Sequence, residues 1–312
     1  MSATTSPKNQ TLTAGAAAEE PATKRPPAAA ESLSPEIEAA RNLQKILEPS
    51  YHTAPDIWNK LLLSYGLEQC AESMPNLLVM VINGEQFRFS HITKHGGSYI
   101  TSFFNLMGIY IGKDDPLLKE LPTYLRNTTV YHLPAFCLYT RQVLDTHVFL
   151  TIKRDTMDRF VSEIKCQWGG IGDPEHKYWR KHDPENAVFE VAQDILNWKN
   201  SVNIKNRKYA NHFIPQQIYG NGITHHLEID IKDVTNFCRN LAILLGKHID
   251  ERAIKSNCAL LTVKNKLGRD IDVAFLKAKF DEKGVGLGEK IQIYNATSFY
   301  EFNECLGKGG GK

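Results

Sequence analysis

The stretch from Asn76 to Ser90, NLLVMVINGEQFRFS, decides how the fold is read. Two apolar runs flank Asn83-Gly84, the dipeptide favoured by a type I′ turn because both of its central residues need positive φ. This reading predicts a β-hairpin turning at Gly84. On its C-terminal side, SYITSFFNLMGIYI (98–111) is apolar nearly all round and predicts a buried helix. On its N-terminal side, Ser34-Pro35-Glu36 combines an N-cap, a first-turn proline and a first-turn acid, a strong helix start. Ile37, Ala40, Leu43 and Leu47 continue it at helical spacing to Pro49, and a second helix runs from Pro55 through Trp58, Leu61, Leu62 and Tyr65.

Further along, 116–125 and 135–144 read as helices and HVFLTIK (147–153) as a strand. Asp155 is placed to cap a helix through Met157, Phe160 and Ile164. A helix is expected over 187–202. The clearest stripe of the C-terminal half is Val234, Phe237, Cys238, Leu241, Leu244 and Leu245, within a helix over 233–248. ALLTV (259–263) and IDVAFLKAKF (271–280) read as paired strands, with IQIYN (291–295) as a third. The expected fold is α+β: a predominantly helical two-lobed core with β-hairpins and a disordered N-terminal arm.

The arm covers 1–34, built from Ala, Thr, Pro, Ser and a few balanced charges; the first aromatic residue is Tyr51. So little apolar area cannot offset the entropy of ordering. The expected organisation is then an N-terminal lobe over 35–166, a Gly/Pro-rich basic loop over 167–185, a C-terminal lobe over 186–302 and a flexible tail over 303–312.

With 312 residues, 37 Lys+Arg and 35 Asp+Glu, the chain is long enough for a sizeable core and is not uniformly basic. The longest apolar run, Leu77 to Ile82, is far short of a membrane span, and no apolar signal region opens the chain, so neither membrane insertion nor secretion is expected. The six cysteines stand far apart with no C-x-x-C pair, which fits reduced, mostly buried thiols in an intracellular protein.

Two segments interleave cations with aromatic rings. One is Lys177, Tyr178, Trp179, Arg180 and Lys181; the other is Lys205, Arg207, Lys208 and Tyr209. Cations that track phosphates beside rings on which bases stack are what single-stranded nucleic acid requires. The alternative is a solvated basic face with its aromatics packed inward. His91 and His95 stand at the i,i+4 spacing of helical metal ligands but lack the H-E-x-x-H glutamate, and His225-His226-Leu-Glu228-Ile-Asp230 is a second donor cluster. Structural histidines account for both better than a metal does. Gly284-Val-Gly286-Leu-Gly288 looks like a phosphate loop but precedes a strand-like segment, and is read as a turn. No nucleophile elbow accompanies Gly96-Gly97, and no catalytic residue is assigned.

Two resemblances follow. Residues 206–241, with Arg207, Ala210, Pro215, Asn236 and Phe237, resemble part of the flavin-dependent thymidylate synthases. Of that family's R-H-R motif, which grips flavin and deoxyuridylate phosphate, Arg159 alone finds a counterpart. The resemblance implies a nucleotide- and flavin-binding enzyme. The second is to nucleocapsid and coat proteins of filamentous RNA viruses. SYITSFFNLMGIYIG (98–112) is similar to a segment of emaravirus nucleocapsids, and Pro174-Glu175-His176-Lys177-Tyr178 to a stretch of flexuous-virus coats. This resemblance implies a cofactor-free protein of the virion and host cytoplasm. Its two-lobed core would clamp single-stranded RNA in a basic groove, while terminal arms dock on neighbouring copies. The nucleocapsid reading leads, with the enzyme and an intracellular scaffold as alternatives.

Overall fold

In the computed structural model, residues 33–109, 115–119, 132–166, 170–171, 184–197, 210–261 and 271–307 are described. Among them the fold is mixed α+β and mainly helical, built on one small sheet. The helix α1 (Pro35–Thr53) starts where the sequence predicts, with Ser34 accepting a hydrogen bond from the Ile37 N–H and Pro35 in the first turn. Helix α2 (Pro55–Ser64) follows; its Trp58 is fully buried and donates through Nε1 to the Ser50 carbonyl at 3.2 Å, satisfying a carbonyl at the end of α1.

The predicted hairpin does not form. Residues Met74–Asn83 are a helix, α3, with Leu77, Leu78, Val81 and Ile82 on its buried face and Gly84 as its C-cap. A six-residue apolar run fits a strand and a buried helical turn equally, and here Pro75 in the first turn and Gly84 at the end favour the helix. The turn that follows places Glu85 at φ 59°, and the chain enters β1 (Phe87–Phe89).

Strand β2 (Val148–Lys153) lies at the centre of the sheet, between β1 and β3 (His225–Asp230), and both pairings are parallel. Phe87 sits opposite Val148, which sits opposite His225. Helices α4 (Gly97–Leu106), α5 (Ala135–Leu138) and α6 (Arg141–Thr146) lie between β1 and β2; α7 (Thr156–Ile164) and α8 (Pro184–Leu196) lie between β2 and β3. The expected helix over 135–144 is thus broken in two at Tyr139, which is extended, with Thr140 capping α6. Asp155 caps α7 as predicted, accepting from the Asp158 N–H.

After β3 come α9 (Val234–Leu244), α10 (Glu251–Leu261), α11 (Val273–Glu282), α12 (Leu287–Asn295) and α13 (Phe299–Gly307). The three C-terminal strands predicted from 259–295 are therefore helices where they are described. Their buried residues fall at helical spacing, Leu276 with Phe280 and Ile291 with Tyr294, and Asp272 caps α11 by accepting from the Ala274 and Phe275 N–H groups. The 284–288 glycines accordingly lead into a helix, with Gly286 at its N-cap.

Ser34–Lys312 form one compact unit with two apolar cores divided by the sheet. Val148, Leu150, Ile152, Leu227 and Ile229 face the core built with α1–α4, α9 and α10. Phe149 belongs to the core built with α5–α8 and α11–α13. Each core thus draws on segments from both halves of the chain. Cys137, Cys166 and Cys238 are buried and Cys70 is partly buried. No helix among the described residues is long and apolar enough to cross a membrane.

Candidate functional site

The C-terminal ends of parallel strands converge on a single edge, the edge at which open α/β sheets bind ligands. Here β1 runs into Ser90–Gly96 and β2 into Arg154, Asp155 and α7, and a buried polar cluster gathers behind them. Arg159 and Glu163, one helical turn apart on α7, are 2% and 1% exposed. The Arg159 guanidinium is spent inside the protein. Nη2 donates to the carbonyls of Ile214 (2.7 Å) and His212 (3.3 Å) and to Thr93 Oγ1 (3.2 Å), and Nη1 to the Tyr294 hydroxyl (3.4 Å). Tyr294 in turn donates to the Phe213 carbonyl at 2.8 Å, and Thr93 to that of His212 at 3.2 Å. Three consecutive carbonyls, 212 to 214, are thereby fixed by side chains from three distant segments.

This holds His212, in the 3-10 turn Ala210–Phe213, against α7. Its Nδ1 lies 3.3 Å from Glu163 Oε2 and 3.7 Å from Cys166 Sγ. Burial alone would lower the imidazole pKa, but its hydrogen bonds with Cys166 and Glu163 and the Glu163 charge raise it to about 9. Glu163 shows the converse. Burial pushes its carboxyl up, yet the His212 hydrogen bond and the His212 and Arg159 charges bring it below the ordinary value. The second carboxylate oxygen, Oε1, is buried with no hydrogen-bond partner among the described residues.

Three more histidines surround this centre. His132 packs edge-on to His212 at 4.9 Å between ring centroids and to His91 at 4.6 Å, and His91 stacks on Phe89 at 5.5 Å. His95 holds Nδ1 2.7 Å from the Thr93 carbonyl and Nε2 2.6 Å from Gln216 Oε1. Burial drives His91 down to about 3, aided by the His212 and His95 charges; burial and the Arg159 charge take His95 to about 4. His132 is also held well below its usual value, burial again leading.

Of the sequence-predicted residues, His91 and His95 thus lie in one buried cluster, as packed and hydrogen-bonded rings. His226, Glu228 and Asp230 share one face of β3 as expected of alternate strand residues, and His226 Nε2 meets Thr151 Oγ1 at 2.6 Å. Lys177, Tyr178, Trp179, Arg180, Lys181, Lys205, Arg207, Lys208 and Tyr209 lie outside the described residues, as do residues 1–32 of the expected 1–34 arm and the last residues, 308–312. Of the residues in the thymidylate-synthase resemblance, Arg159 faces backbone carbonyls, Phe237 is fully buried in α9 and Asn236 is exposed. Glu163, Cys166 and His212 carried no role in the sequence reading. The E-x-x-C spacing could have placed the first two on one face, but His212 stands 46 positions from Cys166 and only the fold brings it there.

Compared with protein-family models, curated proteins and solved structures, the chain matches none of them.

Proposed function

We propose that the chain is a self-assembling protein that binds single-stranded RNA, of the nucleocapsid or coat kind, working in the virion and the host cytoplasm. The observation that supports this reading is the closure of the chain between Cys166 and His212. Both basic-aromatic segments belong to this one stretch, whose two ends meet at the 3.7 Å contact of Cys166 with His212. Between them stands α8, 13 residues or about 20 Å long, anchored in the core by Ala187, Phe189, Val191, Ala192 and Ile195. Lys177, Tyr178, Trp179, Arg180 and Lys181 precede that helix, and Lys205, Arg207, Lys208 and Tyr209 follow it. By sequence, the first segment lies three to seven residues before that helix and the second nine to thirteen residues after it, within one stretch of chain whose ends meet. Together they offer phosphate-tracking cations and base-stacking rings.

Assembly through terminal arms has separate support. Leu33 and Ile37 are exposed where the described chain begins, and Ile293, Phe299 and Tyr300 (72%) where it ends. Apolar side chains at both ends suit arms that order against a neighbouring copy.

The test is sizing of the purified protein in low salt with absorbance read at 260 and 280 nm, before and after ribonuclease. A large species with excess 260 nm absorbance that collapses on digestion is the expected result. A small species with a clean protein spectrum overturns the assembly reading, and a flavin spectrum in its place would favour the enzyme.

A further inference from the structure

We propose that Glu163, Cys166 and His212 form a binding site for a zinc ion, buried behind the C-terminal edge of the sheet. One ligand atom from each residue lies within 4.8 Å of the others, and all three side chains are buried. The edges of a zinc tetrahedron with ordinary bond lengths are roughly 3.3 Å between nitrogen and oxygen and roughly 3.5 Å between nitrogen and sulfur. Two of the three edges are observed at 3.3 Å and 3.7 Å, and the third, between Cys166 Sγ and the Glu163 carboxylate, lies within 4.8 Å, so zinc would draw these two groups together toward a tetrahedral edge of roughly 3.6 Å. A thiolate, an imidazole and a carboxylate together suit zinc better than a hard cation such as calcium or magnesium.

A zinc ion would take these donors as a thiolate, an imidazole without its Nδ1 proton and a carboxylate, so binding would release whatever protons those atoms carry. Glu163 Oε1, otherwise without a hydrogen-bond partner among the described residues, gives the carboxylate a second oxygen for a bidentate or shifted mode. The surroundings behave as a metal's supporting residues do: Arg159 and Thr93 hold the His212 backbone rather than competing for its ring.

The alternative chemistry for this trio, a thiol nucleophile activated by histidine and carboxylate, fits less well. Such a relay uses opposite ring nitrogens for the thiol and the acid, whereas here both face the same Nδ1. Three protein donors leave one corner of the tetrahedron for water or a further side chain, and the His132 ring packs against His212 nearby. The site stands independently of RNA binding, so either reading can fail alone.

The test uses the untagged full-length chain. Elemental analysis should find about one zinc per chain. Cobalt added to metal-depleted protein should give a thiolate-to-cobalt charge-transfer band in the near ultraviolet. Zinc should raise the thermal midpoint by roughly 5 °C when in large excess over its dissociation constant. Cys166→Ser should abolish the band while Cys137→Ser keeps it. Should Cys166→Ser not fold, Glu163→Gln serves as the second variant, weakening cobalt by more than the roughly 10- to 100-fold that loss of a supporting residue costs. Folded wild-type protein with neither zinc nor a cobalt band overturns the proposal, as does a band that survives in folded Cys166→Ser protein.

Discussion

Ser50 and Glu228 exchange two hydrogen bonds through a single hydroxyl. Ser50 Oγ accepts from the Glu228 N–H at 2.8 Å and donates to the Glu228 carbonyl at 3.1 Å. A side chain on α1 thereby acts as one residue of a further strand along the outer edge of β3. Edges left open in this way template pairing with other chains, and here a helix closes the gap.

Replacing Ser50 with Ala should therefore cost about 1–3 kcal/mol, since it leaves a donor and an acceptor of β3 unpaired in a part-buried position. The measurement is the urea midpoint. A loss well below that range would show that water replaces the hydroxyl without penalty.

Arg159→Met should cost more, roughly 3–5 kcal/mol, because it removes the guanidinium donor from the Ile214 carbonyl and one of two side-chain donors from the His212 carbonyl, and leaves Glu163 buried with one cationic neighbour fewer. Chemical denaturation gives the size. Arg159→Met combined with Glu163→Gln should lose less than the sum of the two single changes, since neither partner is then left as an uncompensated charge.

The acid limb of stability belongs partly to His95. Its folded-state pKa is lowered from 6.5 to about 4, so the folded protein keeps the ring neutral while the unfolded chain takes up a proton. The resulting stability is fully present above about pH 6.5 and is lost as pH falls toward 4, amounting to roughly 3 kcal/mol at the end of that window. His91, lowered to about 3, acts in the same direction. His95→Gln should flatten the decline between pH 6.5 and 4, read from denaturation midpoints across that range. An unchanged slope would exclude the ring as a source of it.

Gly97 opens α4 with the His91 ring pressed against its α-carbon, and a methyl group there would overlap that ring. His91 is itself wedged between Phe89 and His132. Gly97→Ala should destabilise by roughly 1–3 kcal/mol through overpacking, and the thermal midpoint should fall accordingly.

For the RNA reading, Arg207→Ala with Lys208→Ala should weaken binding and reduce the salt slope by about 1.4, the share of two phosphate contacts on a single strand. Thermal stability should stay nearly constant. Unchanged affinity would remove both residues from the interface.

Much of the fold was legible because the deciding signals are local. Ser34-Pro35, the Asp155 cap, the HVFLTIK strand and the stripe through Phe237 and Leu241 each carry their own physical cause, and each is found. The mistaken strands share one source. Leu77–Ile82, ALLTV and IQIYN are short apolar runs, and period alone does not separate a strand from a buried helical turn. Asn83-Gly84 then tipped the first of them toward a turn, although a glycine one residue past a helix is as ordinary as one in a hairpin. Asp272 was an unused N-cap signal for α11. The buried centre was half visible: His91 and His95 were singled out, but Glu163 and Cys166 take on meaning only beside His212, and that contact depends on the tertiary structure.

The parallel order of the sheet also sets how the chain must find its structure. No two neighbouring strands are joined by a tight turn: β1 meets β2 only after residues 90–147 have been looped out, and β2 meets β3 only after 154–224. Loop closure is charged before either pairing gives anything back. Despite the many helices, whose contacts are local, this topology predicts slow folding with the central strand completed late. Until β3 arrives, one edge of β2 has no strand beside it, and that interval is when copies of this chain are most exposed to one another.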